Sequence, residues 1–548
     1  MGFFENRKIK YELEKSENLK RIAANEAKVA IIKAQMSHIE EMTNSGYSHG
    51  GASGNATWAK RWHANSLSPV SDIESNRKTL RERTRDLAMN SSIAAAAVNS
   101  TRTNVIGPGL TPKPKIDYEF LGISKDEAAE LTSRIKKEFK LWADTTVCDS
   151  ADLNNFYELQ QIAFRDWLTN GEEFCLIKYA KTAENNNPYQ LRIKLVEADR
   201  VCDDGSSGDF SGTIKKLSNG NSLMNGIEID PDGKVVAYHI CSINPQESGA
   251  GKKEWITVKK RSERTGNPNV LHIFNAERAE QYRGVPLLAP VVQSIKQISR
   301  YTEAEIMAAI VNSMFTLFIT TENGDDIAGF GGVDEEEPAE VRTASQAADE
   351  EVDQIALGTG TVNYLKTGED IKPVESAHPN NGYEGFVKSI ITQIGAALEI
   401  SPEVLLKQFQ ASFSASKGAI NETWKAFRMR RSWFVNAFCQ EVYNLWFAEA
   451  VSKGRINAPG FFIDPLIRNA YTACTWNGPT PGHLNPVQEV NAAVTRVANG
   501  FSTREDEAAS MNGSDFEDNI RALESENIKL AMVNEVLDKQ EENSNDNN

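Results

Sequence analysis

The sequence predicts an α+β fold that is predominantly helical. Short runs of β-branched and aromatic residues, separated by turn residues, occupy the stretch from about residue 171 to 275. Two long segments with apolar residues at helical spacing follow, and an acidic stretch lies between them. Because 548 residues exceed what one hydrophobic core holds, we expect the chain to form several domains.

The first 170 residues are predicted to be mostly helical. Residues 1 to about 45 mix Lys, Glu and Arg and predict a charged helix, which the glycine-rich stretch 46–55 ends as a flexible break. A second helical stretch runs from about Asp72 to Asn104 and stops at Gly107-Pro-Gly109. Two amphipathic helices are expected between about residues 125 and 170.

After Gly171 the pattern becomes that of strands. Asp230-Pro-Asp-Gly233 predicts a hairpin turn between two of them. The predicted strands are Phe174–Tyr179, Leu191–Val196, Ile227–Ile229, Val235–Ile240, Trp255–Val258 and Val270–Phe274.

Two predicted rods frame an insert. The first rod runs from Gly284 for some thirty residues, a length of roughly 45 Å at 1.5 Å per residue. The second begins near Tyr383, with apolar residues at strict i+4 spacing. Between them, residues 322–353 carry twelve acidic residues and one basic residue, and two short strands are predicted at 354–357 and 361–365. The pattern therefore predicts an acidic α+β insert between two helices able to lie side by side.

Residues 401–420 are polar and rich in small side chains, which predicts a loop. A third long helix follows from about Ala419 to Lys453, and the stretch from about residue 484 is helical with an acidic tail. The first half of the third helix is basic. Two interpretations stay open for these side chains, namely a solvated or ion-paired face and contact with DNA phosphates. The basic residues are Lys425, Arg428, Arg430 and Arg431.

Composition and motifs exclude several classes of protein. The net charge of −16 argues against a tight DNA binder but not against a passage along which DNA slides. The chain has no P-loop, no HExxH and no GxSxG, so we expect no catalytic residues and no enzyme activity. Its six cysteines and seven histidines lack ligand spacing, which predicts reduced thiols, no metal and no cofactor. We expect no secretory signal and no contact with a membrane.

Several stretches occur in an order that carries a family likeness. They are Leu80–Asn90, Asn104–Gly109, Val270–Phe274 with Glu277-Arg278 and Gln281–Pro286, Phe413–Gly418, and Trp476–Pro479 with Asn485-Pro486, Glu489, Gly500–Arg504 and Asp515-Phe516. Over about residues 45–520 the chain thereby resembles the portal proteins of tailed phages in their lambda-like branch. Met89-Asn90 stands where an Arg-Asn pair is common, and the serine-rich segment does not end in an Ala-Arg pair. These departures affect local alignment only.

The resemblance implies a dodecameric ring with wing, stem, clip and crown regions around a channel. It divides the chain into a charged helix and linker (1–55), wing (56–285), stem helix 1 (286–320), clip (321–378), stem helix 2 (379–400), tunnel loop (401–420), long helix and wing return (421–483), and crown with acidic tail (484–548). It implies a virion protein at the capsid vertex, assembled in the host cytoplasm. Implied partners are double-stranded DNA, terminase, head-completion or connector proteins, and the major capsid and scaffold proteins.

Two groups of residues are the site candidates. The DNA channel and tunnel loop are assigned Lys388, Lys407, Gln408, Gln410 and Lys417, because lysines among small polar residues suit weak contact with a moving polyanion. Docking of terminase and connector is assigned to the clip residues Asp334, Glu335, Glu336 and Glu337. That run lacks the spacing of an EF-hand, so a solvated surface is favoured over a cation site.

The alternatives are another phage head-tail connector or adaptor ring protein, and an enzyme such as a nuclease. A connector is usually far shorter and needs no rod–insert–rod layout. A nuclease needs an acidic metal cluster on strands, which the sequence lacks. A coiled-coil scaffolding protein is disfavoured because heptads do not persist beyond the rods.

Overall fold

A computed structural model describes most of the chain. The described residues are 2–40, 60–61, 64–181, 187–205, 214–247, 251–314, 317–321, 369–373, 382–409, 412–482 and 485–545. They divide into two compact units, Met1–Leu67 and Ser68–Asn548. The first unit contains helix α1 (Gly2–Glu40), which confirms the predicted charged N-terminal helix. The flexible break predicted at residues 46–55 lies outside the described residues.

The second unit is predominantly helical. Its helices are α2 (Pro69–Asn90), α3 (Ser92–Val105), α4 (Tyr118–Leu121), α5 (Lys125–Ala143), α6 (Phe156–Asn170), α7 (Val292–Met314), α8 (Tyr383–Leu398), α9 (Pro402–Leu406), α10 (Phe413–Phe434), α11 (Gln440–Ser452), α12 (Pro465–Thr472), α13 (Pro486–Ala498), α14 (Arg504–Asn512) and α15 (Phe516–Asn545).

Twelve strands in the described residues form four antiparallel sheets. They are β1 (Thr111–Pro114), β2 (Glu172–Tyr179), β3 (Leu191–Val196), β4 (Lys215–Lys216), β5 (Ser222–Met224), β6 (Ile227–Ile229), β7 (Val235–Cys241), β8 (Trp255–Lys259), β9 (Val270–Phe274), β10 (Leu317–Thr321), β11 (Glu369–Pro373) and β12 (Cys474–Asn477). The sheet orders are β1-β12, β10-β11, β3-β2-β9 and β4-β5-β6-β7-β8. The α+β, predominantly helical fold class is thus confirmed.

The six strands predicted between residues 171 and 275 are all present, and the Asp230–Gly233 turn joins β6 to β7 as expected. The two strands predicted at 354–357 and 361–365 lie outside the described residues. The Gly233 N–H donates to the Asp230 carbonyl at 3.1 Å, and Gly233 has a φ of +85° that suits glycine. Strands β1, β4, β5, β10, β11 and β12 were not predicted. Strands β4 and β5 contain only two or three residues, and β1 (Thr111–Pro114) holds two prolines, so these three lack the usual strand pattern.

Two hydrophobic cores hold the second unit together. The larger joins helices α2, α3, α5, α6 and α7 to the α8–α11 segment and centres on aromatic rings. Phe139 of α5 packs edge-on against Trp446 of α11, with ring centroids 4.9 Å apart. The smaller core lies on the five-stranded sheet, around Tyr238 and Ile240. Strand β2 contributes to both cores, because Cys175 points to the larger one and Phe174 to the smaller.

The two predicted rods lie side by side as helices α7 and α8. The Tyr383 hydroxyl donates to the Thr302 hydroxyl at 3.1 Å, and the Tyr301 ring packs against Phe386 at 5.0 Å. The first rod is shorter than the predicted 286–320 at both ends, since α7 begins at Val292 after a 3₁₀ turn over Ala289–Val291 and ends at Met314, before strand β10. Pro286 and Pro290 lack the N–H groups that a longer helix would require. Strands β10 and β11 pair at the two ends of the insert.

Two further boundaries differ from the predictions. The helix predicted from Asp72 to Asn104 is broken at Ser91, whose extended backbone (φ −111°, ψ 122°) separates α2 from α3. The predicted loop over 401–420 is wrong as local structure, because it contains α9 and the start of α10. Ser401 and Ser412 each cap a helix by accepting from the backbone N–H of its third residue, Val404 and Ala415 respectively. The composition indicated a loop, but the two serines act as helix caps.

The third long helix is continuous from α10 to α11. A π-helical segment, Val435–Cys439, joins the two without a break. Phe434, Phe438 and Tyr443 are all buried along this helix. The apolar face predicted from the sequence therefore faces the larger core.

Candidate functional site

The end of α8 and the start of α10 are connected by a tightly bonded segment. Glu399 ends α8 in the left-handed region with φ +57°, and the Ile400 N–H donates to the Gly395 carbonyl at 2.9 Å. A Cβ at Gly395 would lie 2.5 Å from the Ile400 carbonyl oxygen, so this turn requires glycine. Lys407 ends α9, also with a positive φ of +55°. Helices α8 and α9 therefore both end at a residue in the left-handed region.

Two side chains of α10 anchor this segment. The Ser401 N–H donates to the Thr423 hydroxyl at 2.9 Å. The Arg430 guanidinium donates to the Leu398 carbonyl at 2.8 Å and to the Glu399 carboxylate at 3.0 Å. Burial lowers the pKa of Arg430, which Glu399 partly offsets. The position of α9 is thus fixed from α10 rather than left to a flexible loop.

The predicted channel residues fall into three groups. Lys388 on α8, Lys407 and Gln408 are exposed, and Lys407 and Gln408 adjoin at the end of α9. Lys417 on α10 is only partly exposed, because its ammonium pairs with the Glu489 carboxylate of α13 at 3.1 Å. Gln410 lies outside the described residues. The structure therefore leaves Lys388 and Lys407 facing solvent and engages Lys417 in packing between helices.

The basic residues at the start of the third helix also separate. Arg431 donates to three backbone carbonyls, those of Asn104 and Val105 at the end of α3 (both 2.9 Å) and that of Pro479 (2.7 Å). Burial lowers the pKa of Arg431 to about 10. Lys425 is exposed and pairs with Glu422, and Arg428 is exposed. Arg430 and Arg431 are therefore structural, and DNA contact stays open only for Lys425 and Arg428.

The predicted docking residues Asp334, Glu335, Glu336 and Glu337 lie outside the described residues. At the ends of that segment, β10 and β11 pair antiparallel from Leu317–Pro373 to Thr321–Glu369. The two chain ends of the insert are consequently adjacent.

A second cluster of charged residues was not predicted as a site. Glu172, at the start of β2, is fully buried among basic side chains. Its carboxylate accepts from Arg283 Nε at 2.7 Å, from Arg81 Nη2 at 2.7 Å and from His272 Nε2 at 2.9 Å. Burial alone would raise the pKa of Glu172, but Arg283, the His272 hydrogen bond and Arg81 hold it well below its usual range. This group is an ionised carboxylate in the protein interior.

The network around Glu172 is balanced in charge. Arg81 also pairs with Asp199 at 2.5 Å, and Arg77 pairs with Glu74 at 2.9 Å. The four arginines Arg77, Arg81, Arg85 and Arg283 face the four carboxylates Glu74, Glu172, Glu197 and Asp199. Three of the arginines recur at i+4 spacing on α2. This spacing is the one sequence signal of the network, but it is also typical of a solvent-exposed, charged helix face. A buried network of this kind needs every member paired.

Cofactor and membrane signals are weak in the part of the chain that the structure describes. No three His, Cys, Asp or Glu side chains there are arranged to hold a metal ion. None of the described helices combines the length and apolarity needed to cross a bilayer. The six cysteines are unpaired, and five of them are buried, as predicted for structural thiols.

Comparison with known proteins covers most of the chain. The family described as "Phage portal protein, lambda family" matches residues 56–431. Portal protein B of Escherichia phage lambda is 23% identical over 480 residues, covering 86% of this chain and 87% of that protein. The portal protein of Escherichia phage N15 is 23% identical over 484 residues, with 86% and 88% covered. A chain in the solved virion of a native gene transfer agent particle is 11% identical, with 80% and 94% covered and a TM-score of 0.39.

Proposed function

The chain belongs to the lambda family of phage portal proteins, which matches residues 56–431, and we propose that it forms the dodecameric ring through which DNA enters and leaves the capsid. As a portal protein it is a structural component of the virion. This membership sets aside the connector and adaptor alternatives, and the proposal includes that the chain is not an enzyme such as a nuclease. The proposal extends to assembly in the host cytoplasm and to terminase, head-completion, capsid and scaffold proteins as partners.

The observation that carries the channel assignment is the exposed Lys407 at the end of an anchored helix. Thr423 and Arg430 hold the α8–α9 segment from α10, so Lys407 is presented from a fixed position. Lys388 is exposed on the same rod that leads into this segment. Two isolated ammonium groups attract phosphates weakly, whereas the net charge of −16 disfavours tight binding. This balance suits a passage that centres DNA and lets it slide.

The ring is tested by negative-stain imaging of the purified chain, where twelvefold rings with a central hole are expected. A compact monomer at high protein concentration would contradict it. The lysines are tested in phage that carry K388A and K407A together. We expect lower retention of DNA in filled heads, measured as nuclease-sensitive DNA after mild heating. Lys215, an exposed lysine on β4 away from the rods, supplies the control K215A, which should retain DNA normally.

Lys417 is not replaced in that test. Its pairing with Glu489 joins α10 to α13, so its removal would change packing between helices as well as charge. Equal DNA retention in wild type and in the Lys388/Lys407 double variant would contradict the role of the two lysines without bearing on ring formation.

Docking at the clip remains a proposal on sequence alone. Its acidic residues Asp334, Glu335, Glu336 and Glu337 offer four adjacent carboxylates to a basic partner surface. Replacing them with Asn and Gln should weaken binding of terminase to purified rings and remove part of its salt dependence. Unchanged binding across the salt range would place docking elsewhere.

A further inference from the structure

The chain passes from the wing into α7 through a short segment that is held along its length. Arg283 pairs with Glu172, with Nη2 and Oε1 2.6 Å apart. The next N–H, that of Gly284, donates to the other oxygen of the same carboxylate at 3.1 Å. Leu287 N–H then donates to the Leu168 carbonyl in α6 at 2.9 Å. Helix α7 begins five residues later, so its first turn follows directly from this attachment.

Two glycines allow the attachment to be this close. A Cβ on Gly284 would lie 1.9 Å from the Gly171 carbonyl oxygen, and a Cβ on Gly171 would lie 2.5 Å from the Val285 carbonyl carbon. Gly171 also ends α6 with a φ of +85°. Backbone therefore meets backbone at this point, and Glu172, the residue after Gly171, is the side chain that binds across it.

Arg283 connects the same point to the second hydrophobic core. Its guanidinium donates to the carbonyls of Ala198 and Val201 at 3.0 Å and also to that of Asn225. These carbonyls belong to the segments that precede and flank the five-stranded sheet. The Glu172–Arg283 pair thus lies where the helical core, the five-stranded sheet and the start of α7 meet.

We propose that Glu172 is a positioning residue that sets the direction in which α7 leaves the wing, and through α7 the place of the adjoining helix α8, which carries Lys388. This inference rests on the proposed portal function. A helix of 23 residues is about 35 Å long, so a tilt of about 10° at its base would move its far end by about 6 Å. A buried ion pair adds little net stability over apolar packing, but it demands one geometry.

The test measures the angle directly, as a distance between the wing and α7. Nitroxide labels are placed at Leu153→Cys, in an exposed wing loop, and at Glu303→Cys, on the exposed side of α7, in a C474S background. Doubly labelled chains are assembled with a large excess of unlabelled chains, and the distance distribution is read by pulsed electron resonance. With E172Q we expect the mean distance to shift or its distribution to broaden relative to wild type.

A matched control separates positioning from stability. Glu138 binds Arg455 with two contacts of 2.7 Å and accepts from the Tyr189 hydroxyl, yet it lies on α5 away from α7. E138Q should lower the melting temperature without changing the distance distribution. If E172Q fails to fold, R283K, which keeps the charge but loses the forked geometry, is measured instead and should broaden the distribution.

The outcomes distinguish the two proposals. An unchanged distance distribution in rings of E172Q or R283K overturns the positioning role. The same change with E138Q also overturns it, because any buried Glu would then act alike. An absence of rings in the wild-type chain instead contradicts the proposed portal function.

Discussion

The side chains of Glu172 and Glu173 are both buried, yet the pKa of the first is lowered and that of the second is raised. They are consecutive in β2, so strand alternation sends them to opposite faces of the sheet. Glu172 meets arginines and His272. Burial raises the pKa of Glu173, and the carboxylates of Asp166 and Glu197 raise it further. Glu172 is therefore held ionised, whereas the surroundings of Glu173 favour its protonated form.

The first prediction concerns loss of the ionised carboxylate. E172Q should lower the free energy of unfolding at neutral pH by about 3–5 kcal/mol, because it leaves buried arginines without their partner. Since the pKa of Glu172 is lowered on folding, its contribution is present above the ordinary value near 4.5 and is lost as pH falls through the lowered value. Urea denaturation at several pH values should show the difference from wild type shrinking in acid. A difference that stays constant with pH would contradict an ionised Glu172.

The same substitution one residue later should act in the opposite direction. E173Q replaces a carboxyl whose charged form is disfavoured by burial with a neutral side chain of the same shape, so it should raise the free energy of unfolding at pH 7.5. Because the pKa is raised on folding, wild-type Glu173 costs stability above pH 4.5 and not below it. Near pH 4 the variant and wild type should therefore unfold alike. Destabilisation by E173Q at neutral pH would contradict a raised pKa of Glu173.

Asp166 is a further buried carboxyl with a raised pKa, and its titration can be measured directly. Burial and the nearby Glu197 raise its pKa to about 6, above the ordinary 3.8. Its native proton is lost as pH rises through about 6, so stability should decline between about pH 4 and 6 from this group. The D166N variant should lose that decline. Carboxyl resonances of labelled Asp provide the direct measurement, and a midpoint near 3.8 would contradict the assignment.

Arg431 supports a different prediction because it satisfies three carbonyls at once. R431M keeps much of the side-chain volume but leaves the carbonyls of Asn104, Val105 and Pro479 without this donor. We expect a loss of about 2–4 kcal/mol in the free energy of unfolding. R428A, which removes an exposed arginine one turn earlier, should change it by less than about 0.5 kcal/mol. Equal losses in the free energy of unfolding for the two variants would mean that water molecules donate to the three carbonyls in place of Arg431.

Glycine at position 284 is predicted to be indispensable. G284A would bring a Cβ to 1.9 Å from the Gly171 carbonyl oxygen, and backbone rather than a flexible side chain must move. A loss of about 4 kcal/mol or failure to fold is expected. G385A, in α8 with open space around its Cβ, should instead stabilise the chain by about 0.5–1 kcal/mol. Melting temperatures of the two purified variants should therefore move in opposite directions.

Much of the fold follows from local sequence patterns. Apolar spacing predicted α7, α8 and the long third helix, since each buries one continuous face. Strand patterns predicted six of the twelve strands in the described residues. Short elements were missed because two or three residues carry no pattern, and β1 contains two prolines. Helix α9 and the start of α10 were mistaken for a loop because polar composition outweighed the capping serines Ser401 and Ser412.

The candidate site was predictable only in part. Lys388 and Lys407 are exposed as expected, because lysines among polar residues rarely find buried partners. Lys417 pairs with a carboxylate some seventy positions later in the chain, and no local pattern reports such a contact. The Glu172 network escaped prediction for the same reason, since its members come from α2, β2, β9 and the segment before α7. The charges of these residues suggested that they are exposed to solvent, whereas ion pairs between distant parts of the chain allow them to be buried.

The π-helical segment Val435–Cys439 places an extra residue in an otherwise regular helix. One residue turns the helix by about 100°, so the segment rotates α11 relative to α10 by that amount compared with an uninterrupted helix. Deleting one residue there would restore ordinary winding and would turn Tyr443 and Trp446 away from Phe139. This single inserted residue thus sets which side of α11 carries its aromatic residues toward the core. Alignments of related chains should place a gap there only where the aromatic residues on one side of the gap also change.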